Sequence, residues 1–111
     1  MTDNLADKER VPGEGGTPAL KGSEVARLLD QLGNGWRVVG EHDLKKGFWF
    51  TNFRQTLDFA NKVGEIAEQQ GHHLDMCLGC GRLELMVWTH KIDGLTESDF
   101  IFAAKVDAAP A

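Results

Sequence analysis

The stretch DMCLGCGRLELMVWTH, residues 75–90, has the pattern of a β-hairpin, with a glycine-bearing turn between its two halves. In the second half, Leu83, Leu85 and Val87 share one face, because successive side chains of a strand point to opposite faces. His90 falls on the other, less uniformly apolar face. We therefore predict two short antiparallel strands, with a histidine at the end of the second.

The segments before and after this hairpin predict the remaining helices and strands of the fold. Residues 53–71 repeat apolar side chains at helical spacing and end on Gly71, a residue that commonly terminates helices. A short amphipathic helix begins at Ser23, residues 36–52 predict a first strand pair, and a capping-box pattern within residues 95–100 opens a last helix. The order α-β-β-α-β-β-α predicts an α+β fold, a four-stranded antiparallel sheet with three helices on one face.

Length and composition narrow the class of protein. The 111 residues are enough for one domain, and residues 1–22, with two of the three prolines, predict a flexible or draped arm before a single domain at residues 23–111. The net charge of −5, without a Lys/Arg cluster, disfavours direct nucleic-acid binding. No apolar run approaches the roughly 18 to 20 residues of a membrane span, and the N-terminal segment lacks the apolar core of a signal peptide. We expect a cytoplasmic protein that contacts no membrane.

The Cys-x-x-Cys pair allows more than one interpretation. Cys77 and Cys80 have the spacing of a zinc knuckle, and two of His72, His73 and His90 could complete a tetrahedral site. A knuckle usually faces a second compact ligand pair, which this chain lacks. A thioredoxin-like redox pair belongs at a helix N-terminus, whereas this pair falls in a predicted hairpin. We expect no metal, with Cys77 as a small strand residue and Cys80 as a turn residue.

The histidines favour acid/base chemistry if the fold brings them together. His72 and His73 follow the long helix, His90 ends the hairpin, and Glu68 precedes His72 by four residues, a spacing at which helical side chains meet. Imidazole titrates near neutrality, so such a cluster can hold one ring as a base and another as an acid. His42 falls in a predicted turn, and we assign it no role.

The segments AEQQGHHLDM, LELMVWTHKIDGLTESDF and AAKVD together resemble the pterin-4a-carbinolamine dehydratases. The resemblance runs from about Gly35 to Val106 and is similar in detail to the plant and protist branch of that family. It implies the same α+β fold, a homotetramer or at least a homodimer, and a pterin substrate. The implied reaction removes water from 4a-hydroxytetrahydrobiopterin to give quinonoid dihydropterin in tetrahydrobiopterin recycling, with no metal and no cofactor.

The resemblance also implies roles for particular residues. His72 and His90 would be the acid/base pair, His73 would position the pterin, Glu68 would orient His72, and Asp99 would support the His90 loop from behind. The residues expected to line the substrate site are Gly71, His72, His73, Trp88, Thr89, His90 and Lys91. Two alternatives remain: an interaction protein that acts as a dimerisation cofactor of a transcription factor, and a small zinc-binding module.

Overall fold

The computed structural model of the chain describes residues 19–72 and 74–109. The strands are β1 Arg37–Val39, β2 Asp43–Trp49, β3 Asp75–Gly79 and β4 Arg82–Val87, and the helices are α1 Ser23–Leu32, α2 Phe53–Gln70 and α3 Glu97–Ala108. The four strands form one antiparallel sheet in the order β1-β2-β4-β3, so two hairpins lie side by side. The predicted α+β class and element order are confirmed.

The helices pack against one face of this sheet. β2 pairs with β4 so that Leu44 lies opposite Val87 and Phe48 lies opposite Leu83. Leu44, Leu83 and Val87 are buried in the same core as apolar residues of all three helices. Fully burying an aliphatic side chain of this size contributes about 1.5–3 kcal/mol. The tightly packed strands β2 and β4 therefore hold the loops at their ends in place.

Both ends of α2 are capped, and the C-terminal cap decides where the histidine pair begins. The Asn52 side chain accepts the N–H of Gln55 at 2.9 Å. At the other end Gly71 adopts the left-handed conformation (φ 61°), which glycine reaches without the steric cost of a Cβ. The N–H of His72 then bonds to the Ala67 carbonyl at 2.9 Å. The chain therefore leaves the helical path at Gly71, and the next side chain, His72, is buried.

β4, the second strand of the β3–β4 hairpin, is shorter than predicted. The apolar alternation predicted a strand reaching His90, but β4 ends at Val87. Thr89 donates its N–H to the Gly94 carbonyl at 2.9 Å and forms an isolated bridge with it. This bridge closes a tight loop, so His90 lies in a turn and not on a strand face.

The first residues described after the N-terminus contact neighbouring loops. The N–H of Leu20 donates to the Leu95 carbonyl at 2.8 Å, and the N–H of Gly22 donates to Oε2 of Glu41 at 2.7 Å. The rest of the predicted arm, residues 1–18, lies outside the described residues. Over the two described ranges, no helix combines the length and the apolar character needed to cross a membrane.

Candidate active site

A buried histidine–aspartate contact joins the end of α2 to the start of α3. His72 is 3% exposed, Asp99 is fully buried, and Nε2 of the ring lies 2.6 Å from Oδ1 of the carboxylate. At this separation the ring and the carboxylate are in direct polar contact. The Phe102 ring packs with its centroid 5.4 Å from that of His72. Separating such a pair would leave a polar group buried among apolar atoms, so the contact fixes the ring of His72.

The second oxygen of Asp99 holds two further segments. Its Oδ2 accepts the hydroxyl of Thr89 at 2.9 Å and the N–H of Thr96 at 2.8 Å. The hydroxyls of Thr89 and Thr96 are themselves 3.0 Å apart. Asp99 lies in the first turn of α3, where the helix dipole favours a negative charge. One buried carboxylate therefore anchors three points. These are His72, the second residue after α2, Thr89, which precedes His90, and the N-terminus of α3.

His90 lies on the exposed side of this anchored loop. Its ring contacts Trp88, with 4.4 Å between the ring centroids and a tilt of 34°. Gly94, which closes the loop, is buried so closely against Ala19 that an added Cβ would lie 2.7 Å from the Ala19 side chain. Thr89 on the inside and Trp88 on the outside therefore restrict where the exposed ring of His90 can lie.

His42 lies beside the loop that carries His90, although the sequence pattern predicted no role for it. Its ring centroid lies 5.5 Å from that of Trp88, Nε2 lies 2.8 Å from Oδ1 of Asp93, and Nδ1 lies 3.3 Å from Oδ1 of Asp43. The hydrogen bond to Asp93 is the largest cause of a raised His42 pKa, and partial burial opposes it. Only the pairing of β2 with β4 brings His42 to Trp88, so no local sequence spacing pointed to it.

Two residues expected in the site, Glu68 and Lys91, are exposed on the protein surface. Glu68 is exposed on α2, and the carboxylate beside the His72 ring is that of Asp99. The four-residue spacing that suggested a Glu68–His72 contact holds only along a continuing helix, and Gly71 ends α2 between them. Lys91 is exposed in the loop after His90.

Of the three remaining candidate residues, the structure describes the two cysteines but not the histidine. His73 lies outside the described residues. Cys77 lies in β3 and Cys80 in the turn that follows, and both are free and exposed. Within residues 19–72 and 74–109, no three His, Cys, Asp or Glu residues form a group that could hold a metal ion.

Among residues 19–72 and 74–109, two cavities lie away from His72 and His90. One of about 410 Å³ lies beside the ion pair of Lys46 and Asp107, whose Nζ and Oδ1 are 2.8 Å apart. The other, of about 540 Å³, lies along the start of α2 beside Gln55. Neither is lined by His72 or His90. His72 and His90 therefore lie outside both cavities.

Comparison with known proteins gives a consistent result. Residues 18–109 match the family model described as pterin 4 alpha carbinolamine dehydratase. A relative from Rubrobacter xylanophilus named for pterin-4-alpha-carbinolamine dehydratase is 64% identical, over 93% of this chain and 95% of its own. One of the same name from Alkaliphilus metalliredigens is 48% identical, over 95% of each chain. Both are bacterial, and the expected likeness to the plant and protist branch stays a prediction.

Solved structures with the same fold carry a wider range of descriptions. A transcriptional coactivator/pterin dehydratase from Brucella melitensis superposes with a TM-score of 0.75 at 30% identity, covering 81% of this chain and 96% of that one. A pterin dehydratase-like protein identified as a RuBisCO assembly factor of the alpha-carboxysome gives 0.59 at 26% identity, covering 69% and 90%. These neighbours are thus described as a transcriptional coactivator/pterin dehydratase and as a RuBisCO assembly factor.

Proposed function

Because the chain belongs to the pterin 4 alpha carbinolamine dehydratase family, we propose that it removes water from 4a-hydroxytetrahydrobiopterin to give quinonoid dihydropterin, as a step in tetrahydrobiopterin recycling. The observation that carries this proposal is the anchoring of two histidine-bearing segments by one buried carboxylate. Asp99 contacts His72 and accepts the hydroxyl of Thr89, and His90 follows Thr89. The carboxylate thereby links the two segments that carry these imidazoles, of which His72 is buried and His90 is exposed.

The reaction needs two proton transfers. The C4a–O bond breaks as an acid protonates the leaving hydroxyl group, and a base removes the proton from the neighbouring N5. A double bond then forms between N5 and C4a, and one water leaves. The pterin is neither oxidised nor reduced, so side chains that exchange protons near neutral pH can perform every step. Each positioned acid or base contributes roughly 10²- to 10⁴-fold to the rate.

The proposed roles follow the surroundings of each ring. His90 is exposed, so it can exchange protons with solvent between turnovers. His72 is the second member of the acid/base pair, and His73 positions the pterin. We assign the orientation of His72 to Asp99 and not to Glu68, because the Asp99 carboxylate lies 2.6 Å from the ring. Glu68, together with Gly71, Trp88, Thr89 and Lys91, belongs to the surroundings of the pterin in this proposal.

Product analysis tests the reaction itself. 4a-Hydroxytetrahydropterin is generated chemically, mixed with the purified protein, and its conversion to quinonoid dihydropterin is followed by absorbance. We expect acceleration by the wild-type protein and by Arg27→Gln, a change on the exposed face of α1. Loss of the acceleration in His90→Ala would support the assigned role. Equal rates with and without folded wild-type protein would refute the dehydratase proposal.

Self-association is the second part of the proposal. β3 is an edge strand of the sheet, and its Met76 and Leu78 side chains are 42% and 40% exposed. An unpaired edge with exposed apolar side chains is suited to pairing with another chain. We therefore include a homodimer, which can pair further into a homotetramer. Light scattering of Leu78→Lys against wild type tests this, and an unchanged molar mass would exclude β3 as the contact.

A protein-interaction role is a second candidate function. The described neighbours include a transcriptional coactivator and an assembly factor. The same exposed edge of β3 is the observation that favours a partner on this chain. If the interaction candidate is correct, Leu78→Lys will prevent partner binding while dehydration by each folded subunit continues.

A further inference from the structure

We propose that His42 is a positioning residue for His90, acting through Trp88 on one side of the loop and through Asp93 on the other. The inference rests on the proposed dehydration, in which His90 transfers a proton. Trp88 precedes His90 by two residues and Asp93 follows it by three. His42 contacts both, although it belongs to a different hairpin.

The backbone places His42 at this point. Gly40 and Glu41 both have left-handed φ values, 58° and 54°, and the N–H of His42 bonds to the Val39 carbonyl at 2.9 Å. This tight turn ends immediately before β2. Since β2 runs beside β4 and Leu44 lies opposite Val87, the residues just before Leu44 lie beside the residues just after Val87. The ring of His42 therefore reaches Trp88 across the end of the sheet.

The loop that carries His90 is held from two directions. Inside, Thr89 is bound to the buried Asp99. Outside, Asp93 donates its N–H to the His90 carbonyl at 3.2 Å, and its carboxylate lies 2.8 Å from Nε2 of His42. The contact with Asp93 thus closes the exposed end of the loop, where Thr89 gives no support. Loss of His42 would leave that end of the loop without this restraint.

Electrostatic attraction between His42 and nearby carboxylates adds to the restraint on the loop that carries His90. The carboxylates facing His42 among the described residues are Asp43 from β2 and Asp93 from the loop, while Oε2 of neighbouring Glu41 accepts the N–H of Gly22. Protonation of His42 strengthens both carboxylate contacts and the attraction of its ring to Trp88. The raised pKa of His42 means that this state persists to higher pH than for a free imidazole. The restraint on His90 should therefore weaken as the pH rises through that pKa.

Two variants and a control test this inference in the full chain. His42→Gln removes the ring and its charge, and Asp93→Asn removes the opposing charge. Glu41→Gln is the control, because its carboxylate contacts Gly22 and not the loop. We expect His42→Gln and Asp93→Asn to lower kcat about 10-fold with little change in KM, since misplacing a reacting group affects the chemical step more than binding. The pH dependence due to His42 should be absent from His42→Gln.

An NMR measurement separates this inference from the dehydratase proposal. The chain has four histidines and three tryptophans, so the ring resonances of His90 and Trp88 can be assigned by single replacements. We expect both to shift in His42→Gln and Asp93→Asn and neither to shift in Glu41→Gln. If wild type does not dehydrate the pterin, this shift still tests the positioning. Unchanged His90 and Trp88 resonances, with unchanged kcat, in folded His42→Gln and Asp93→Asn would overturn the inference.

Discussion

Nε2 of His72 lies 2.6 Å from Oδ1 of Asp99, and both side chains are buried. The same carboxylate binds Thr89, so it links the two loops that bear the proposed acid/base histidines. A single buried group thus contributes to stability and to the placement of the chemistry. Substitutions at Asp99 should affect both, whereas replacement of the exposed His90 should affect activity alone.

Asp99→Asn is expected to lower activity and stability together. The amide retains an oxygen for Thr89 or Thr96 but replaces the carboxylate beside Nε2 of His72, and removing one partner of a buried polar contact costs about 1–3 kcal/mol. We predict this loss in urea unfolding and a fall in kcat of at least about 100-fold. Glu68→Gln, at the exposed position, should cause smaller losses in both. Equal effects of the two changes would argue against Asp99 as the group that orients His72.

His90→Ala and His72→Ala should separate chemistry from packing. Either change should lower kcat by about 10²- to 10⁴-fold, because each removes a proton-transfer group. His90 is exposed, so its removal should leave Tm nearly unchanged. His72→Ala leaves the Asp99 carboxylate without its buried partner, and Tm should fall. Near-wild-type turnover in either variant would remove that histidine from the mechanism.

The stability contributed by His42 should depend on pH in a defined direction. Its pKa is raised in the folded protein above the ordinary 6.5, first by the hydrogen bond to Asp93. Its contribution is therefore complete below the unfolded pKa and is lost as the pH rises through the folded pKa. The wild type should exceed His42→Gln in unfolding free energy more at about pH 5.5 than at about pH 8.5. The His42 ring is 38% exposed, so this difference should stay below about 1 kcal/mol, and an equal difference at both pH values would contradict it.

The cysteine pair should be dispensable. Cys77 and Cys80 are exposed at the β3–β4 turn. We predict that Cys77→Ser/Cys80→Ser retains wild-type turnover, Tm and metal content. Metal content is measured by elemental analysis of protein purified without chelator. Unfolding of the double variant, with loss of bound zinc, would favour the zinc-module alternative.

Local patterns predicted much of the fold but only part of the site. The helical repeat before Gly71 and the alternation through Leu85 depend on neighbouring residues, so both elements could be predicted. The contact of His72 with Asp99 depends on how α3 packs against α2, which no sequence spacing encodes. Glu68 was chosen by helical spacing, but the left-handed Gly71 interrupts that spacing. His42 was missed because its partners lie on the other hairpin.

The central claim is most directly tested by the rate of loss of chemically generated 4a-hydroxytetrahydropterin after the protein has been treated with a chelator. Histidine acid/base catalysis predicts that chelator-treated wild type keeps its full acceleration and that His90→Ala loses most of it. No acceleration by folded, chelator-treated wild type, or full recovery only after zinc is added back, would contradict a metal-free histidine dehydratase.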